Sequence, residues 1–151
     1  VAAGDVNGDG QAEIIVSPSL TYVEGRTDWY KYIEIDVSEQ RLSYYQNGFL
    51  LDKYPISSGT IAMPTPLGEF NVLNKSLRAY SAKYALYMPY WLGFTGKGHG
   101  IHELPEWSSG YKEGLDHLGY RVSHGCVRLG IGPAEKLYNW ADVGTPVIVQ
   151  E

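Results

Sequence analysis

Ile33, Ile35 and Val37 alternate with Tyr32, Glu34 and Asp36. A period of two puts an apolar row on one face of an extended segment and a mixed row on the other, which predicts a half-buried strand. Downstream, Arg41 to Gln46 and Phe49 to Ser57 flank the pair Asn47-Gly48. That pair suits the positive φ angles of a type I′ turn, so the stretch reads as a β-hairpin. Pro64-Thr65-Pro66-Leu67-Gly68 removes amide donors and interrupts the pattern, which resumes in extended form from Glu69 to Asn74. Tyr80, Tyr84, Tyr87, Tyr90, Trp91 and Phe94 make the next section dense in aromatics, which reads by default as core rather than as the wall of a groove. Pro133 suits a first helical position, Leu137, Trp140 and Ala141 fall on one face, and Gly144 reads as the stop. Thr145 to Gln150 closes the chain as a strand. The fold class that follows is mainly β, a sandwich or partly open barrel with one or two short helices.

Residues 1 to 27 follow a different pattern. Asp5, Asn7, Asp9 and Glu13 supply oxygen side chains around glycines that permit a sharp turn, the way a loop wraps a hard cation. They are candidate ligands for a structural calcium ion, the plain alternative being a solvated acidic turn. Ile14-Ile15-Val16 follows as a short buried strand. The segment resembles the tail of an FG-GAP-type propeller repeat, which implies a β-rich repeat region ahead of Val1 in a longer protein. Residues 1–27 are then its remnant and linker, and 28–151 a separate unit.

With 151 residues and 44% apolar side chains, the chain can build one domain with a real core. Its formal net charge of −5 argues against nucleic acid as the main partner, since phosphate binding needs a clustered cationic face. No run approaches the roughly 18 to 20 apolar residues of a membrane span. The chain lacks an initiator Met and shows no signal peptide, so it reads as a mature or excised piece. Its one cysteine is either an inert buried side chain or a free reactive thiol, and the neighbouring residues must decide.

Those neighbours are informative. Gly96-Lys-Gly98-His99-Gly-Ile-His102-Glu103 precedes Ser123-His124-Gly125-Cys126-Val127-Arg128-Leu129, and all four histidines lie between positions 99 and 124. A free thiol titrates near 8.5, so only about 3% is thiolate at pH 7. An imidazole that takes its proton raises that population by up to roughly thirtyfold if the two side chains meet. Two extended segments lying side by side would bring His102 to Cys126. Gly125, without a Cβ, lets a substrate carbonyl approach the main chain, where backbone amides could form an oxyanion hole. In an extended segment Cys126 and Arg128 point to the same side, so the guanidinium favours thiolate and can hold a substrate carboxylate.

These residues resemble the catalytic signature of YkuD-type L,D-transpeptidases, the enzymes that crosslink bacterial peptidoglycan. Ile35-Asp36-Val37-Ser38-Glu39-Gln40-Arg41-Leu42, Ser58-Gly59 leading to Pro64-Thr65-Pro66-Leu67-Gly68-Glu69-Phe70, and Val143-Gly144-Thr145-Pro146-Val147 fit as well. The resemblance covers roughly residues 30 to 150. It implies a β-sandwich-like catalytic domain over 28–151 in which Cys126 attacks the carbonyl between the third and fourth residues of a tetrapeptide stem. The acyl group then passes to the side-chain amine of a second stem. His102 would be the general base, oriented by the backbone carbonyl of Glu103. Ser123, His124 and Gly125 would shape the oxyanion hole and Arg128 the substrate contact. The resemblance also implies an extracytoplasmic location, no cofactor for catalysis, and inhibition by carbapenem-type β-lactams. Glu103 departs from the glycine that many relatives carry there. The stretch from Glu103 to Val122, with Trp107, Tyr111 and Tyr120, is longer than usual; the two departures leave the acceptor open and point to a lid over the site.

Three alternatives stand beside this reading. Hydrolysis of the same acyl-enzyme would make the protein an L,D-carboxypeptidase. His99, His102, His124 and Cys126 supply four ligands suited to zinc. A wall-binding module could keep the fold without turnover. Neither of the last two accounts for Arg128 together with the intact Cys126 and His102.

Overall fold

Alternating apolar side chains give this chain strands that cannot bury their inner faces singly, and the solution is a sheet that curls over itself. The computed structural model describes residues 2–4, 13–15, 25, 26 and 28–151. Near the N-terminus β1 (Ala2–Gly4) pairs antiparallel with β2 (Glu13–Ile15). The calcium expectation falls on Asp5, Asn7 and Asp9, outside the described residues, and on the side chain of Glu13, which is likewise not described.

The remaining strands are β3 (Lys31–Asp36), β4 (Arg41–Gln46), β5 (Phe49–Ser57), β6 (Gly68–Asn71), β7 (Asn74–Ser81), β8 (Leu86–Gly93), β9 (Gly100–Glu103), β10 (Val127–Leu129) and β11 (Pro146–Gln150). Among the described residues they form one sheet in the order β6-β11-β3-β4-β5-β10-β9-β8-β7. β5 joins its two halves: its stretch from Phe49 to Pro55 pairs with β4, with a register shift that leaves Leu51 unpaired, while Ile56 and Ser57 pair with β10. The two edge strands, β6 and β7, are consecutive in sequence. The chain passes from one to the other through Val72, whose amide bonds to the Thr145 carbonyl, and Leu73, whose amide bonds to the Gly93 carbonyl. Curling is what brings the edges together, and it gives the sandwich-like packing expected from the strand pattern.

The core lies inside the curl. Ile33, Ile35, Leu42, Val147 and Val149 meet Ile56, Leu92, Ile101, Val127 and Leu129 across it, all essentially without solvent exposure. The β4–β5 hairpin turns at Asn47 (φ 53°) and Gly48 (φ 77°), the two positive φ angles that its sequence requires. The other face of β3 is not half-open as alternation alone suggests. Tyr32 stacks on Tyr45 at 4.6 Å between ring centroids, and the Arg26 amide donates to the Tyr32 hydroxyl at 2.9 Å, so the preceding segment covers that face.

One α-helix, α1 (Pro133–Trp140), occurs among the described residues, with a 3₁₀ turn at Leu115–His117. Pro133 starts α1 as predicted. The helix ends at Trp140 with Ala141 already extended, so Gly144 serves the turn into β11 rather than the stop. Two lysines satisfy its last carbonyls. Lys75 Nζ bonds to the carbonyls of Tyr138 (2.7 Å) and Ala141 (2.5 Å), and Lys31 Nζ to that of Trp140 (3.0 Å). Positive charge at a helix C-terminus is favourable both to the free carbonyls and to the helix dipole. Ala134, Leu137 and Ala141 seal the core from this side. Leu137→Ala is expected to cost about 2–5 kcal/mol, since it leaves a cavity at a fully buried position; urea unfolding monitored by tryptophan fluorescence measures it.

Candidate active site

β9 and β10 lie side by side and parallel, with Ile101 opposite Val127, His102 opposite Arg128 and Glu103 opposite Leu129. Residues opposite one another in a sheet share a face, and the faces alternate along each strand. Ile101 and Val127 therefore turn into the core, while His102 and Arg128 turn the other way, together with Cys126 one pleat before Arg128. His102 and Cys126 become diagonal neighbours on adjacent strands. Both line a cleft of about 440 Å³, together with Arg128. The structure thus brings together the thiol, the imidazole and the guanidinium singled out in the sequence.

His102 is buried, and its Nδ1 donates to the backbone carbonyl of Glu103 at 2.5 Å. That bond leaves Nε2 as the nitrogen without the proton. The indole of Trp91, held by its own bond to Asn74 Oδ1 (2.8 Å), stacks beside the imidazole at 6.0 Å. Burial pushes His102 down to about 4, against the Glu103 carbonyl, which favours the charged form, and with Arg128 acting in the same downward direction. Burial also pushes the Cys126 thiol up, against the backbone at Gly100 and the charge of Arg128, which both favour thiolate. Both shifts favour the uncharged forms, thiol and imidazole, and neither supplies the resting gain in thiolate that a free imidazole would give.

The turn that carries Cys126 is held from several sides. Ser123 Oγ donates to the Cys126 carbonyl (2.5 Å) and accepts from the Gly125 amide (3.2 Å). The hydroxyl and the Gly125 amide are thereby committed to the turn. Thr65, from the proline-rich loop, accepts from the Gly59 amide (2.9 Å) and donates to the Gly125 carbonyl (3.0 Å). Gln40 exchanges bonds with Ser58, whose carbonyl accepts from the Ser123 amide. Gly125 has φ 110°, and a Cβ there would stand 2.8 Å from the His99 ring, so both backbone and space demand glycine. His124 is exposed and stacks on Tyr84 at 4.6 Å between centroids.

Glu103 contributes its carbonyl to His102, while its buried carboxylate pairs with Lys112. His99 is fixed by Thr95 Oγ1 at 2.9 Å and forms part of the cleft wall; His117 lies apart on the 3₁₀ turn. Among the described residues no group of three or more His, Cys, Asp or Glu side chains is placed to hold a metal ion. The four proposed zinc ligands all line the cleft, but a ring nitrogen of His99 is taken by Thr95 and one of His102 by the Glu103 carbonyl, and His124 stacks on Tyr84.

The aromatic section divides differently from its default reading. Trp91 and Phe94 are buried, but Tyr84 is a cleft residue and Tyr80 is exposed. The sequence reading missed Trp91 as the neighbour of His102, Thr65 as the brace of the Cys126 turn, and Glu113 as a cleft carboxylate. Trp91 shares the cleft face because it precedes by one the core residue Leu92, which pairs with Ile101; strand register, not composition, carries that signal.

A mainly β domain with a thiol and an imidazole on adjacent parallel strands in one cleft is the class these features define. The chain belongs to the YkuD family, whose L,D-transpeptidase catalytic domain matches residues 30–149. It is 36% identical over 110 residues to probable L,D-transpeptidase 3 of Mycobacterium tuberculosis, covering 64% of this chain and 38% of that protein. It thus spans well under half of that relative's length. Among solved structures it is similar to an L,D-transpeptidase from Mycobacterium smegmatis, with TM-score 0.72, 27% identity, and coverage of 81% of this chain and 59% of that one. It is also similar to L,D-transpeptidase 3 from Mycobacterium tuberculosis in complex with a faropenem-derived adduct, with TM-score 0.68, 27% identity, and coverage of 81% and 60%.

The depressed His102 value has a thermodynamic consequence. Above pH 6.5 the imidazole is neutral both folded and unfolded; between 6.5 and about 4 only the unfolded chain takes up the proton, so stability falls as pH falls and the loss is complete below about 4. Between pH 7 and pH 5 the wild type should lose about 2 kcal/mol more than His102→Gln, read from urea midpoints at the two pH values.

Proposed function

We propose that this domain transfers acyl groups between peptidoglycan stem peptides through a Cys126 thioester. The observation that carries the reading is the register of β9 on β10, which sets His102, Cys126 and Arg128 on one face in an open cleft. The Cys126 sulfur attacks the carbonyl between the third and fourth residues of a tetrapeptide stem as its proton passes to His102 Nε2. The peptide C–N bond breaks, the proton goes to the departing D-amino acid, and the acyl group stays on sulfur. The side-chain amine of a second stem then attacks the thioester, forming the new amide and restoring the thiol.

Each neighbour has a part in that sequence. A neutral imidazole is the form that can accept a proton at neutral pH, and its Nδ1 bond to the Glu103 carbonyl holds it in the required tautomer. The charge on sulfur then develops only as attack proceeds, beside the Arg128 guanidinium. Arg128 is almost fully buried and has no hydrogen-bond or ion-pair partner among the described residues, which suits it to a substrate carboxylate. Since the Gly125 amide is committed to Ser123, the oxyanion is received by other donors of the same turn, with Ser123 and Gly125 fixing its shape and His124 its outer wall.

The substrate places the activity outside the cytoplasmic membrane, and no helix among the described residues is long and apolar enough to cross one. Residues 1–27 are read as the end of a preceding β-repeat region, with Asp5, Asn7, Asp9 and Glu13 as its calcium ligands. Chemistry at 28–151 needs no cofactor. The β-lactam adduct of the related transpeptidase supports carbapenem-type compounds as acylating probes of Cys126.

Incubation with a carbapenem is expected to add one inhibitor mass to the wild type and none to Cys126→Ala, with His102→Gln slowing acylation by about 10²–10⁴-fold. With defined tetrapeptide stems the expected product is a crosslinked dimer. Trimmed tripeptide without dimer would replace transfer by hydrolysis, and absence of any adduct would leave a binding module.

A further inference from the structure

The cleft carries charges that the acylation step does not use. Lys83, Lys97 and Arg128 bring cationic groups to its lining, and Glu113 is the one carboxylate among the described lining residues. Glu113 comes from the long segment after β9, and that segment is firmly placed. The Glu113 amide bonds to the Pro105 carbonyl (2.9 Å), Glu106 exchanges backbone bonds with Tyr87, and Arg78 Nη2 reaches Glu106 Oε1 at 2.6 Å. The buried Glu103–Lys112 pair ties the same segment to the back of β9.

The carboxylate itself is only half engaged. Trp107 Nε1 donates to Glu113 Oε2 at 3.0 Å, and among the described residues no cation lies within ion-pair distance and nothing bonds to Oε1. Yet its field reaches Arg128. A carboxylate aimed by an indole into a cleft, and left without a cation where three are available, is arranged for a cation that arrives with a ligand. The transfer reaction supplies one. An alkyl amine, with a reference value near 10.4, reaches the thioester at neutral pH as an ammonium. Arg128 and Glu113 thus offer opposite charges to the two kinds of end that a pair of stems brings.

We infer that Glu113 is the acceptor subsite: it binds the side-chain ammonium of the second stem beside acylated Cys126. This rests on the transfer reading above. From that position the ammonium releases one proton to solvent. Its nitrogen bonds to the acyl carbon as the C–S bond breaks, and a second proton passes from nitrogen through His102 to the sulfur.

The test separates the half-reactions in the whole chain. Glu113→Gln keeps an oxygen to accept from Trp107 and removes the charge. Acylation by a tetrapeptide donor is followed by mass spectrometry, and transfer is followed with two acceptors: a stem tripeptide bearing a free side-chain amine, and hydroxylamine, which is uncharged at pH 7. For the variant the tripeptide KM is expected to rise about tenfold, with kcat changed less than twofold and transfer to hydroxylamine matching the wild type. An unchanged tripeptide KM overturns the inference, as does equal loss with hydroxylamine or a loss confined to acylation. Failure of the wild type to form any acyl-enzyme overturns the transfer reading itself, and the acceptor subsite with it.

Discussion

Parallel pairing of β9 with β10 is the constraint from which the rest of the site follows. Because both strands run the same way, the loops that enter them, 95–99 and 123–126, lie at one end of the sheet and together frame the cleft. A parallel neighbour also requires a long crossover, here the segment from Leu104 to Cys126, and this segment returns across the cleft to supply Trp107 and Glu113. The register is fixed from the opposite face, where Ile101, Val127 and Leu129 are sealed in the core. A slip of one residue would exchange the faces and drive His102 into apolar packing. Hydrophobic burial on one side of two short strands thus sets the chemistry on the other.

The charged groups are arranged around a pair that burial biases toward its neutral forms. Burial pushes the imidazole down and the thiol up, so both shifts disfavour separated charge on the pair. Around that pair stand, among the described residues, one guanidinium without a hydrogen-bond or ion-pair partner and one carboxylate with a free oxygen. Support from Thr65, Ser123 and Gln40 fixes the turn that carries Cys126, and a fixed turn is what lets backbone dipoles act without reorganising.

Much of this was legible in the chain itself. The β4–β5 hairpin follows from Asn47-Gly48, and Pro133 announces α1, because turn and cap chemistry are local. Period-two patterning gave the strands and the mainly β class. What local pattern does not contain is which strand lies beside which. His102 and Cys126 were paired on thiol–imidazole chemistry and then on resemblance, and only the register accounts for their sharing a face. The same limit explains why Tyr84 read as core: an aromatic is apolar whether it faces an interior or a cleft, and Glu113 lies in a segment with no periodicity to place it. The covered outer face of β3 was missed because the segment at Gly25 and Arg26 packs there through tertiary contacts that alternation does not encode.

The burial around Cys126 has one more consequence, for the lifetime of the protein. Peroxides and disulfides consume thiolates far faster than thiols. Burial that pushes the Cys126 thiol up therefore works against its oxidative loss, in a sequence whose one cysteine has no internal disulfide partner. The environment that disfavours the Cys126 thiolate is thus also one that preserves the sulfur.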